Sequence, residues 1–272
     1  MKFAMCNEFC EGWSFEDVCK LAADAGYDGV EIAPFTLAPD VYKIEPGRPN
    51  ELRETAMAHG LAIVGLHWLL AKTENLHVTA DDEDIRRQTV HYLKAEVDLC
   101  EKLGGSVMIF GSPEQRNIAP DQDPEAAWDQ AVETMRGLGQ YASEHGVTIC
   151  MEPLGSDETN FLASAAEAKR FVQDVDHPGL RMMLDVKAMV HGEDAEPIPE
   201  IIHNCAGYFE HCPATDANLN GPGWGDTDYG PVVRGIRDIG YDDYASVEVF
   251  DFSPGPEAIA RRSLEFLRNV FR

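Results

Sequence analysis

The chain carries no Cys-x-x-Cys pair, no Gly-x-Gly-x-x-Gly turn and no apolar run long enough to span a bilayer. The first absence argues against a zinc knuckle. The seven cysteines, odd in number and scattered, fit reduced thiols better than a disulfide framework. The second absence removes the phosphate turn that an open dinucleotide-binding sheet needs. The longest apolar stretch, 61–71, is interrupted by His67 and is too short for a membrane span. An acidic residue, Glu8, stands where a signal peptide needs its apolar segment. Basic residues are scarce as well: 22 Lys and Arg face 48 Asp and Glu, a net charge of −26. Such a surface repels phosphate backbones and anionic bilayers, so neither nucleic acid nor a membrane is an expected partner. A highly phosphorylated substrate would need a metal or a local basic cluster. A soluble, cytoplasmic protein is the expectation.

What is present is a regular alternation. Apolar segments suited to strands fall at 3–6, 29–33, 62–66, 106–110, 147–151, 180–184, 207–211 and 245–250. Helical patterns separate them. The segment 14–25 opens on Ser14 with Glu16 and Asp17 in its first turn, a capping signature. The segment 82–103 repeats apolar residues at Ile85, Val90, Leu93, Val97 and Leu99, then stops at Gly104-Gly105. Segments 124–145, 164–175 and 256–270 read as helices too. Strands separated by helices must run parallel, because a tight turn cannot reverse the chain across a helix. Eight units of about 34 residues in a chain of 272 predict an α/β fold: one closed (β/α)8 barrel over 1–272.

In such a barrel the polar residues at the C-terminal strand tips converge on one mouth. Strand five ends in Glu152, strand six in Asp185, strand seven in His211 and strand eight in Glu248, at intervals of 33, 26 and 37 residues. Any one of them would pass as a solvated rim residue. Four on consecutive staves leave three carboxylates crowded without a cation, unless they hold one. The mixed oxygen and nitrogen set suits one divalent ion, Mn²⁺, Mg²⁺ or Co²⁺, with Zn²⁺ also compatible.

Glu152-Pro-Leu, Leu184-Asp185, His211 with the following Asp216 and Pro222-Gly-Trp-Gly225, Val247-Glu248-Val, and the segment 24–32 carry a family likeness. The chain resembles the sugar isomerase/epimerase superfamily built on the xylose isomerase-like TIM barrel, which includes ketose 3-epimerases, hydroxypyruvate isomerases and inosose dehydratases. The resemblance implies one divalent ion held by Glu152, Asp185, His211 and Glu248, with Glu152 and Glu248 doubling as acid/base groups. It implies epimerisation or isomerisation of a ketose or keto-sugar through a metal-stabilised cis-enediolate. A dehydratase or lyase acting on a keto-inositol or 3-keto-glycoside would use the same apparatus. A non-catalytic sugar-binding barrel is a third reading. By analogy with such barrels, homo-oligomerisation is compatible.

The residues expected to orient a small-molecule sugar depart from the ketohexose 3-epimerase pattern. That pattern has a His three residues after the ligand Asp and an Arg six after the ligand His; here Ala188 and Ala217 occupy those places. Glu158, six after Glu152, matches a substrate-contacting Glu of that group. Lys187 would supply a replacement positive charge or form a structural ion pair. His67 and Trp68 end strand three, and an indole face stacks on sugar C–H groups. Arg116 follows strand four and would bind an anionic or polyhydroxylated group or stand solvated. Asn7 and Glu31, at the tips of strands one and two, are hydroxyl partners by position. The turn-rich loop 218–229, with Trp224 between glycines, reads equally as a lid or as plain surface. His59, His145 and His177 sit at helix ends and read as caps.

Overall fold

A computed structural model describes residues 1–191 and 196–272. The element order is β1 (Lys2–Cys6), α1 (Phe15–Ala25), β2 (Gly29–Ile32), α2 (Arg48–Ala58), β3 (Ala62–Leu66), α3 (Glu83–Leu103), β4 (Val107–Phe110), α4 (Pro124–Glu144) and β5 (Thr148–Met151). It continues through α5 (Ala165–Val175), β6 (Leu180–Met183), α6 (Val186–His191), α7 (Ile198–Cys205), β7 (Phe209–Ala214), α8 (Gly230–Asp238), β8 (Tyr244–Val247) and α9 (Pro256–Val270). All eight neighbouring strand pairs are parallel and the ring closes in sequence order. This is the closed (β/α)8 barrel that the alternation predicts.

Local signals explain the helix ends. Ser14 caps α1 by accepting from the Asp17 N–H, and Gly26 ends that helix with φ +102°. A cap of this kind is worth about 0.5–2 kcal/mol. Asp82 and Gly104 bracket α3 in the same way. His59 and His145 occupy C-cap positions, and His177 lies one residue beyond the cap of α5.

Strand seven departs from expectation. It was expected to end at His211, but β7 runs three residues further, through Pro213, whose Cα pairs with that of Ser246. Proline's fixed φ fits extended backbone near a strand end, where the ladder tolerates a missing N–H. His211 therefore sits within the strand and not at its tip.

Packing sorts the two faces of each strand. Ile149 and Met151 join the large cluster shared with the helices, whereas Ile109, Cys150 and Met183 form a small cluster of their own. Side chains alternate along a strand, so the next residues on that second face are Gly111, Glu152 and Asp185. The seam between the chain's ends is tied by the Lys2–Tyr244 register of β1 with β8. The buried Tyr27 hydroxyl adds a bond to the Ala260 carbonyl (2.8 Å). All seven cysteines are buried. Among the described residues no helix is long and apolar enough to cross a membrane.

Candidate active site

The strand ends deliver the site. Glu152 follows β5 by one residue, Asp185 follows β6 by two, and Glu248 follows β8 by one. Glu152 and Glu248 line a cavity of about 490 Å³ together with His67, Trp68, Glu8 and Gly111. Phe35, Leu154, Phe250 and Phe252 supply its apolar walls. The Trp68 ring lies 6.3 Å from Phe35 and 5.3 Å from Phe250, making a continuous aromatic face. Trp68 holds this place with φ +61°, a left-handed backbone unusual for a bulky residue. Gly111 allows close approach: a Cβ there would lie 2.1 Å from Glu152 Oε2.

The three carboxylates of the expected ion set are buried and influence one another. Burial, then the Glu248 charge, raises Glu152 to about 7. Burial raises Asp185 to about 7 against the pull of Lys187, with Glu152 adding repulsion. Burial lifts Glu248 to about 8 although His67 opposes it. Both oxygens of Asp185 and Oε2 of Glu248 are buried without a hydrogen-bond partner. Buried orphans of this kind are costly, and a cation satisfies them together. By their chemistry, such oxygens suit a divalent ion.

A second buried constellation stands beside these carboxylates. Nδ1 of His67 donates to Glu31 Oε2 at 3.1 Å, and His67 Nε2 lies 3.4 Å from Glu248 Oε1. Nε2 of His211 lies 2.6 Å from Glu31 Oε1. That leaves Nδ1 of His211 as the nitrogen to offer an ion. Burial alone would raise Glu31, but His211 and then His67 override it and hold the carboxyl far below its usual range. Burial would lower His67, yet Glu248 and Glu31 raise it to about 10. Among the described residues, the donors lying within 4.8 Å of one another are Cys6, Glu31 and His67, a buried triad able to bind a metal. None of the four expected ligands belongs to that tightest group.

Other expected sugar contacts have different neighbours. Asn7 Oδ1 accepts from Ala33 N (2.8 Å) and its Nδ2 donates to Thr36 Oγ1 (2.9 Å), so its amide latches the loop after β2. Arg116 is fully buried, where a solvated loop arginine was one expectation, and its Nη1 donates to the Glu152 carbonyl at 2.7 Å. Burial lowers its pKa to about 10. Lys187 and Glu158 meet each other at 2.8 Å. These four lie outside the cavity walls. Glu31 faces the two histidines, not the cavity. The 218–229 loop is held from several sides: Asp216 accepts from Gly225 N, Gly223 abuts Phe266, Arg262 of α9 lies over Trp224, and the Leu219 carbonyl accepts from Phe250 N beside the cavity.

Sequence reasoning missed Glu8. Its Oε1 accepts from Val249 N at 3.0 Å, its Oε2 is buried without a partner, and burial raises it to about 7. The available signal was an acidic residue two positions beyond an apolar strand.

Residues 19–270 match the family described as xylose isomerase-like TIM barrel. The chain belongs to that family. It is 25% identical over 262 residues to a fructoselysine 3-epimerase of Shigella flexneri, covering 91% of this chain and 90% of that one. It is 28% identical over 245 residues to a D-psicose 3-epimerase of Ruminiclostridium cellulolyticum, covering 86% and 76%. This member of the xylose isomerase-like barrels is therefore a distant relative of ketose 3-epimerases. Its fold superposes with a TM-score of 0.86 on a D-psicose 3-epimerase from Clostridium cellulolyticum H10 solved with D-tagatose, at 22% identity and 100% coverage of both chains. A 3-keto-D-glucoside 4-epimerase from E. coli gives 0.84 at 19% identity, with 99% of each chain covered.

Proposed function

We propose that the protein is a divalent-metal-dependent sugar epimerase or isomerase acting on a ketose or keto-sugar. One observation carries the reading. Glu152 and Glu248 share a cavity, and oxygens of Asp185 and Glu248 are buried without a hydrogen-bond partner. A divalent ion held by Glu152, Asp185, His211 and Glu248 would supply Lewis acidity to the sugar carbonyl and acidify the adjacent C–H. The protein's own groups then move the proton. One glutamate removes it and the other returns it, to the opposite face for an epimerase or to the neighbouring carbon for an isomerase. His67, 3.4 Å from Glu248, orients that carboxylate. The faces of Trp68 and Phe250 receive the sugar's C–H groups. The sugar epimerases among the relatives support the same chemistry. Seven cysteines, odd in number and scattered, are consistent with a reducing, cytoplasmic setting.

The test is incubation of the metal-loaded protein with a panel of keto-sugars in D₂O. Solvent deuterium appearing at the α-carbon with the carbon skeleton and its hydroxyls intact supports the reading. Loss of water identifies a dehydratase instead. Glu248→Gln is expected to lower turnover about 10²–10⁴-fold. Wild-type turnover in that variant would remove Glu248 from proton transfer.

A further inference from the structure

We propose that Glu31 is a positioning residue that ties the two mouth histidines together, steering His211 with one carboxylate oxygen and His67 with the other. The inference rests on the ion-dependent reading above and deepens it. Each oxygen has its own imidazole: Oε1 meets His211 Nε2 at 2.6 Å and Oε2 accepts from His67 Nδ1 at 3.1 Å. All three side chains are buried to 98% or more. The histidines then point their remaining nitrogens at separate tasks. His211 keeps Nδ1 for the ion, and His67 sets Nε2 beside Glu248. A carboxylate behind a ligating imidazole fixes both its tautomer and its orientation.

The backbone supplies independent support. Register shifts interrupt the β2–β3 ladder between Val30 and Glu31, and the β6–β7 ladder between Met182 and Met183, where Met183 pairs with His211. Bulges re-aim side chains next to functional sites. Here the extra residues are Val64 of β3, beside the Gly65 that pairs with Glu31 and three residues before His67, and Glu210 of β7, beside His211.

Glu31→Gln is the decisive variant. Glutamine keeps one acceptor oxygen, which can face one imidazole N–H, and sets an NH2 donor against the N–H of the other. Mn²⁺ titration by calorimetry should show affinity weakened about 10–100-fold. In the D₂O assay at saturating Mn²⁺, kcat should fall while KM holds. Unchanged Mn²⁺ affinity overturns the proposal. So does an equal loss of affinity in Cys6→Ser, which would make Cys6, Glu31 and His67 the metal site themselves. Imidazole ¹⁵N spectra of the wild type do not depend on any ion or on the variant's folding. Protons on His211 Nε2 and His67 Nδ1 support the proposal, and a His211 proton on Nδ1 alone sinks it. Wild-type protein that binds no Mn²⁺ yet shows those protons overturns the functional reading and leaves the positioning role standing.

Discussion

Glu31 inside the barrel and Glu96 in the outer helical layer are both fully buried, yet their surroundings push them in opposite directions. Two histidines hold Glu31 ionised. Glu96 sits on the inner face of α3 among Tyr92, Leu93, Val97 and Cys100, with neither oxygen partnered, and burial alone drives its pKa well up. The barrel mouth gathers charge and answers it with opposing charge or with room for a cation. The helical layer leaves its one deep carboxyl on the α3 face to neutralise itself by keeping a proton. Depth alone therefore does not mark a functional acid; the company it keeps does.

The sharpest way to break this contrast is to change volume in each region. Gly111→Ala should push Glu152 off its position and lower turnover on the order of 100-fold without unfolding the protein. Gly137→Ala, in α4 with open space at its Cβ position, should leave turnover alone in the same assay. Equal effects from both would erase the distinction between mouth and layer.

Cation binding probes the mouth next. Mn²⁺ at about 100 times its Kd should add about 2.7 kcal/mol to unfolding stability at pH 8. At pH 6 the gain should shrink. Glu152, Asp185 and Glu248, lifted to about 7, 7 and 8, then hold protons that the ion must displace. Thermal melts at the two pH values, with Asp185→Asn as control, decide the point.

Glu96 gives the complementary pH response. Its folded pKa lies above its unfolded value, so its contribution is most favourable below the unfolded carboxyl's pKa of about 4.3. It then declines by about 1.4 kcal/mol per pH unit until the folded value is reached. Glu96→Met should be the more stable protein at pH 8 by about 1–3 kcal/mol, with the gap narrowing toward pH 5. Urea unfolding that shows no change in the gap would mean the carboxyl has found a partner.

The eight strands were legible because each is a short apolar run bounded by turn residues, and period-2 alternation then carried Glu152 and Asp185 to one face. Helix α2 went unmarked because only Pro49, Leu52 and Ala56 of its eleven residues are buried, too few for a visible stripe. Helix α6 is six residues long, below the length at which periodicity declares itself. At the site, strand-tip positions were readable, but partnerships were not. Lys187 and Glu158 lie 29 residues apart and Glu31 and His211 lie 180 apart, so only the closed ring reveals that they meet. The periodicity of α3 also hid Glu96, whose charge reads as solvent-facing until the helix is docked.

The seam between β1 and β8 has a consequence for how the protein is made. Val249 donates to Glu8 across 241 positions, and Glu248 reaches the mouth only when β8 docks between β1 and β7. Without β8 the other seven strands leave β1 and β7 as open edges. The last stave completes the cylinder and the proposed proton-handling pair in one event, so the first detectable turnover during synthesis would time ring closure itself.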